Sequence, residues 1–164
     1  MEFIVPFKPQ SAMRPNYSHK TGRPNQMFMP PKYRHWRDET NLWFEDWLYE
    51  TDYQLIKELI YMDDEQKTPI RDENGNFKQD FYGYEVKLMF IVPKSKSGRP
   101  FPMGQQSSDI DNYAKAVVDM MFESQSFKNA GLNDKYIQSM ILLKRCAIGD
   151  EETHIEVDLH QIKL

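Results

Sequence analysis

Apolar positions along this chain change their period several times, and each change predicts an element. Phe3, Val5 and Phe7 alternate with other residues, which reads as a short strand ending at Pro6 or Pro9. From Lys32 to Met62 the period lengthens to that of a helix. Trp36, Thr40, Trp43 and Trp47 follow the i, i+4, i+7, i+11 line, with Phe44, Leu48, Leu55, Leu59 and Met62 beside it. A tryptophan stripe at this spacing reads as core or subunit interface. A break falls near Thr51-Asp52, where Asp52 is placed to cap a second helix. Phe81 to Val92 is the clearest strand, and its late residues are apolar on both faces, which predicts a central position. Ile110, Ala114, Val117, Val118, Met121 and Phe122 then mark one buried face of another helix. Tyr136 to Cys146 and Thr153 to Ile162 close the chain as two strands joined by Gly149-Asp150-Glu151-Glu152. In the last strand Ile155, Val157 and Leu159 point inward, with His154, Glu156, Asp158 and His160 on an exposed sheet face. The expected class is α/β in the broad sense (α+β): a mixed sheet flanked by helices, one unit over residues 1–164.

The intervening stretches are polar. Pro9 to Pro31 reads as a long loop, with Arg14, Tyr17, His19, Lys20 and Arg23 interspersed among proline, glycine, Asn and Ser. His19 stands alone, a proton donor at most. Asp63 to Asp80 is a polar excursion around an Asn74-Gly75 turn, with room for a small hairpin. Its acidic groups lack the oxygen ladder and terminal Glu of a calcium loop and read as solvated. Lys94 to Gly104 is a flexible connection into the second helical region.

Composition adds three exclusions. No run approaches a membrane-spanning length and Met1-Glu2-Phe3 opens no signal peptide, so a cytoplasmic protein without membrane contact is expected. The lone Cys146 allows no internal disulfide and reads as sheet filler. Cys and His never group with zinc spacing. The net charge of −4 argues at first against nucleic acid. Its distribution argues the other way. Between Phe3 and Arg37 lie seven Lys or Arg (Lys8, Arg14, Lys20, Arg23, Lys32, Arg34, Arg37) and no acidic residue. Lys94, Lys96 and Arg99 again stand without an acid before Ser108, while the acidic excess lies at 38–80 and 150–158. Two basic, loop-like stretches on an acidic body suit one face that meets phosphates.

The most informative stretch is Ser108-Asp109-Ile110-Asp111-Asn112-Tyr113-Ala114-Lys115, followed by Asp119 and, further on, Gly131-Leu132-Asn133-Asp134. Carboxylates at i and i+2 repel each other and cannot share one helix face. Asp109 must therefore lie before the helix if it is to converge with Asp111. Spacing alone favours the simple reading, in which Ser107, Ser108, Asp109 and Asp111 compete to cap a helix. The sharper reading is a Mg²⁺ site, since that ion takes oxygen ligands and commonly bridges to phosphate.

The longer context shifts the balance. Asp-Ile-Asp-Asn, a Lys three positions after the Asn, an Asp four further on, and Gly131-Leu132-Asn133-Asp134 before a strand resemble the RusA family. Its members are dimeric, Mg²⁺-dependent endonucleases that resolve Holliday junctions, often encoded by phages and prophages. The resemblance extends over most of the chain. It implies metal binding and catalysis by Asp109, Asp111 and Asp134, an active-site role for Lys115, and Mg²⁺ as cofactor with Mn²⁺ as a substitute. It also implies a four-way DNA junction as substrate, a homodimer as the active form, and the host cytoplasm as location if the gene is a phage's. Relatives often carry a double Asp at the third acidic site, where this chain has Asn133-Asp134; Ser108 stands where many have a basic residue or proline. Asp119 is then a steadying partner for Lys115, although Lys115 is equally placed to pair with Asp111. Arg14, Tyr17, Lys20, Arg23, Lys94, Lys96 and Arg99 become the candidate DNA contacts.

Three rival readings remain at this point: a Mg²⁺ nuclease preferring forks or flaps, a non-catalytic DNA-binding protein with a structural acidic cluster, and a binding module built on exposed Trp36–Trp47. If the basic stretches form the DNA face, junction affinity measured by gel shift falls steeply between low and moderate salt despite the negative net charge. A flat salt response would remove them from that role.

Overall fold

The computed structural model describes residues 1–14, 16–18, 26–62, 68–76, 82–102 and 108–163, with the backbone alone at 16–18 and 26–28. Its organising layer is a four-stranded mixed sheet. Strand β1 (Glu2–Val5) pairs antiparallel with β6 (His154–Lys163), β6 pairs antiparallel with β4 (Tyr82–Val92), and β4 pairs in parallel with β5 (Ile137–Cys146). The spatial order is therefore β1-β6-β4-β5. β4 is interior, as its two-sided apolar end predicts: Phe90, Ile91 and Val92 are all buried.

One face of the sheet is covered. Phe3, Val5, Tyr84, Val86, Leu88, Phe90, Ile155, Val157 and Leu159 meet the helices there. Helix α1 (Pro31–Glu50) opens with proline at its first position, where a missing N–H costs nothing. It buries Tyr33, Trp36, Thr40, Phe44 and Leu48. Trp36 belongs to the core, and Trp43 and Trp47, partly buried, pack against it. Trp47 stacks on Phe3 at 4.4 Å between centroids, Trp43 meets Phe7 edge-on, and the Trp36 indole donates to the Lys8 carbonyl at 3.0 Å. The helix stops because Asp52 and Tyr53 adopt left-handed φ values of 51° and 55°. Asp52 does not cap the following helix α2 (Gln54–Ile60). Tyr53 holds the cap position, and the Asp52 carboxylate pairs with Lys57 at 2.7 Å.

Helix α3 (Ile110–Phe122) carries the chain from β4 back to β5, followed by the short α4 (Gln125–Asn129) and a 3-10 turn at Asp134–Tyr136. A parallel pair demands such a crossover. At the start of the β4/β5 ladder the register shifts between Tyr84 and Glu85. Beside it, a Cβ on Gly83 would lie 2.4 Å from Gln138 Cγ and 3.1 Å from the Tyr136 carbonyl, so any other residue forces Gln138 to move.

Two polar stretches hold more structure than their composition suggests. Part of 9–31 forms a two-stranded ribbon, β2 (Asn16–Ser18) antiparallel to β3 (Gln26–Phe28). In the excursion, Asp72 closes a turn by accepting from Asn74 N and Asn76 N, both at 2.9 Å, and Glu73 is solvated as expected. Ile70 and Arg71, however, are buried. The other sheet face is open and partly apolar: Ile4, Met89, Ile141 and Leu143 line a cavity of about 720 Å³ with Glu156 and Asp158. Cys146 is buried and free. Among the described residues no helix is long and apolar enough to cross a membrane.

Phe44 lies at the centre of the aromatic layer, fully buried against Phe3, Trp47 and Phe127. Phe44→Ala is expected to lower unfolding free energy by about 3–5 kcal/mol in urea titration. Exposed Leu42 on the same helix is the control, and Leu42→Ala should stay within about 0.5 kcal/mol of wild type.

Candidate active site

The opening of α3 presents two carboxylates with no side-chain partner among the described residues. Asp109 occupies the cap position with an extended backbone (φ −62°, ψ 145°), but its side chain makes no capping bond. Asp111 falls in the first turn. Asp109 is thus still outside the helix, as convergence with Asp111 requires. Both are exposed, and among the described residues neither side chain accepts a hydrogen bond or joins an ion pair. The simple capping reading leaves this unexplained. Two oxygen-rich groups beside a helix N-terminus, with their lone pairs unused, are a donor set suited to a hard divalent cation.

Distant segments fix this opening. The Lys144 ammonium, from the far end of β5, donates to the Ser108 carbonyl at 2.8 Å. The Ser11 hydroxyl donates to the Ser108 hydroxyl, and Ala12 N donates to the Asn112 carbonyl at 2.9 Å. The chain leaving β1 is therefore laid across the start of α3, with Arg14 exposed two residues later. The loop after β4 turns toward the same end of the sheet, because Cys146 N donates to the Pro100 carbonyl at 2.8 Å. Its Lys94, Lys96 and Arg99 are all exposed. Tyr17 lies in β2 with its side chain undescribed, and His19, Lys20 and Arg23 lie outside the described residues.

One turn into α3, Lys115 pairs with Asp119 at 3.0 Å, not with Asp111. Asp119 also accepts the Tyr33 hydroxyl at 3.3 Å. This carboxylate therefore links the exposed ammonium to a buried ring of α1. Sequence reasoning found Lys115 and Asp119 from their spacing but missed Tyr33, Ser11 and Lys144, which come from elements far away in the chain. Burial, and then the Asp119 carboxylate, push the Tyr33 hydroxyl above the ordinary phenol range.

Asp134 is elsewhere. α3 runs antiparallel to β4, with Tyr113 beside Phe90 at 5.3 Å and Phe122 beside Tyr84 at 6.1 Å. β5 begins opposite Tyr84, with Ile137 as its partner. Asp134, three residues before Ile137, therefore sits at the exit end of α3. The 13 residues of the helix separate it from Asp109 and Asp111 by roughly 20 Å. Among the described residues no three His, Cys, Asp or Glu lie together as a metal site. Within one protomer Asp134 therefore stands apart from Asp109 and Asp111. The crossover that joins parallel strands puts the start of the helix and the return loop at opposite ends.

Residues 70–160, more than half of the chain, match the family profile of endodeoxyribonuclease RusA. The chain belongs to the RusA family. No curated protein matches it. RusA proteins are endodeoxyribonucleases of the Holliday junction resolvase type, enzymes that act on branched DNA and depend on a divalent metal. The matched segment contains Asp109, Asp111, Lys115, Asp119 and Asp134, whereas Tyr33 and Arg14 precede it.

Tyr84 is the second perturbed phenol, pushed up to about 12 by burial against the opposing pull of Arg71. In the unfolded chain both phenols ionise near ~10. A folded value above the unfolded one means stabilisation that is complete below pH ~10 and is lost as pH rises from there through the folded values. Urea-derived stability should be level from about pH 7 to about pH 9 and fall above about pH 10. Tyr33→Phe should soften that fall; an unchanged alkaline limb would contradict the assignment.

Proposed function

We propose that the protein is a Mg²⁺-dependent, homodimeric resolvase that cuts four-way DNA junctions by paired symmetric nicks. Its setting is recombination, repair or the processing of phage DNA in a host cytoplasm. The observation that carries this reading is the pair of carboxylates at the opening of α3, Asp109 and Asp111, which find no partner among the described residues. They would hold the cation, with Mn²⁺ as a substitute. Bound there, it would neutralise phosphate oxygens and lower the pKa of an attacking water. Lys115, held one turn away by Asp119 and Tyr33, supplies a positive charge for the scissile phosphate. In the hydrolysis water oxygen bonds to phosphorus, one P–O ester bond breaks, and the leaving oxygen takes up a proton. Arg14, Lys94, Lys96 and Arg99 flank this end of the sheet and hold neighbouring phosphates, with Tyr17, Lys20 and Arg23 in the same role.

The position of Asp134 gives the dimer a chemical task. A two-fold axis that runs the α3 helices of two protomers antiparallel brings Asp134 of the partner subunit to Asp109 and Asp111. β5 has the surface for such pairing. It is an edge strand, and Met140, Ile141 and Leu143 on it are exposed. Running β5 antiparallel to its own copy carries the Ile137 end of one protomer to the Cys146 end of the other.

The test uses mixed dimers and an immobile four-way junction. Asp111→Asn and Asp134→Asn alone should each nick below about one hundredth of the wild-type rate while still binding the junction. Unfolded and refolded together in equal amounts, they should recover about a quarter of wild-type sites, since each heterodimer then holds one intact site. No recovery would place all ligands within one chain. Preferential cutting of forks or flaps would favour the fork-nuclease reading. Intact activity in both single variants would favour a non-catalytic DNA-binding protein.

A further inference from the structure

We infer that Arg71 is a positioning residue that sets the turn bearing Asp134; this rests on the shared-site reading above. Arg71 precedes β4 in the chain, yet its guanidinium is buried against the loop that follows α4. It donates to the Gly131 carbonyl and to the Tyr84 hydroxyl, and it lies 4.5 Å from the centre of the Tyr136 ring. Gly131 and Tyr136 bracket Asp134, three residues before it and two after. A single planar group thus grips both sides of the turn. A lysine would offer one point charge without the fork or the flat face.

The remaining contacts complete the clamp. Leu132 is buried and its N–H donates to the Phe127 carbonyl at 2.9 Å. Asn133 accepts from Lys135 N at 3.0 Å, and the Tyr136 hydroxyl donates to the Gly75 carbonyl at 3.4 Å. Arg71 itself is anchored through Ile70, which is buried and donates to the Ile60 carbonyl at 2.7 Å. The Asp134 side chain stands exposed at the apex of this assembly. A carboxylate offered to a second protomer gains nothing from its own neighbours, so its aim depends on the backbone beneath it. Groups that orient a metal ligand typically change affinity or activity by about 10–100-fold when removed. Arg71 acts through Asp134 in this manner and touches neither the cation nor DNA.

Three measurements test the assignment. Amide hydrogen exchange of Arg71→Met should accelerate at 131–137 and stay at wild-type rates over 109–115. Titration with Mn²⁺ alone should show about tenfold weaker binding or more. In mixed dimers, Arg71→Met should recover nicking with Asp111→Asn and fail to recover with Asp134→Asn, which assigns it to the Asp134 side of the site. Arg71→Lys, which keeps a donor for Gly131, serves in the same mixtures if the Met variant does not fold. Wild-type Mn²⁺ affinity, or equal recovery with both partners, would overturn the role of Arg71. Failure of the Asp111→Asn and Asp134→Asn pair to recover each other would instead overturn the shared site, and exchange and Mn²⁺ binding would then decide Arg71 alone.

Discussion

Parallel pairing of β4 with β5 is the constraint on which the rest of the architecture depends. Two parallel neighbours cannot be joined by a tight turn, so the chain must travel back along the sheet before β5 can begin. α3 makes that return, and its apolar face, from Tyr113 to Phe122, fills the space between the sheet and α1. The same return fixes the chemistry. Whatever is placed at the start of α3 lies at the C-terminal end of β4, and whatever precedes β5 lies at the other end. Loops at strand ends carry function because a rigid layer holds them apart at set distances.

Electrostatics then distinguish the two ends. At the end of the sheet where α3 starts, Arg14, Lys94, Lys96 and Arg99 are exposed, the Asp109 and Asp111 carboxylates find no partner among the described residues, and Lys115 is tied back by Asp119. At the other end a buried guanidinium stiffens a loop that presents one carboxylate. Along the open sheet face the charges are instead satisfied locally: Lys87 meets Glu85 and Asp158, and His160 meets Glu85 and Asp158.

Much of the fold was legible because its signals are local. The alternation in β4 and β6, the helical period of 32–62 and the buried stripe of α3 each need only neighbouring residues to be read, and each element stands within a residue or two of its expected bounds. The placement of Asp109 outside the helix and of Asp111 inside it was legible for the same reason. What escaped was set by contacts distant in sequence. The Tyr33 hydroxyl is 86 residues from Asp119, Lys144 is 36 from Ser108, and Arg71 is 60 from Gly131. No periodicity announces such pairs. Arg71 was hidden further by its surroundings, since a residue beside Asp72-Glu73-Asn74-Gly75 carries the composition of a solvated turn. The distance of Asp134 from the other aspartates within one protomer was not legible, because chain order does not reveal at which end of a sheet a crossover helix begins.

Gly83 carries a consequence for how this sequence can vary. The absent side chain lets the backbone that leaves the Asp134 turn lie flush against β4, with Tyr136 and Gln138 filling the space a methyl group would need. At this seam, replacement of Gly83 requires Gln138 to withdraw and the Tyr136 carbonyl to shift, and with them the footing of the turn. A lineage that loses the glycine must therefore change the side chain at 138 with it, so positions 83 and 138 should change together across descendants of this protein.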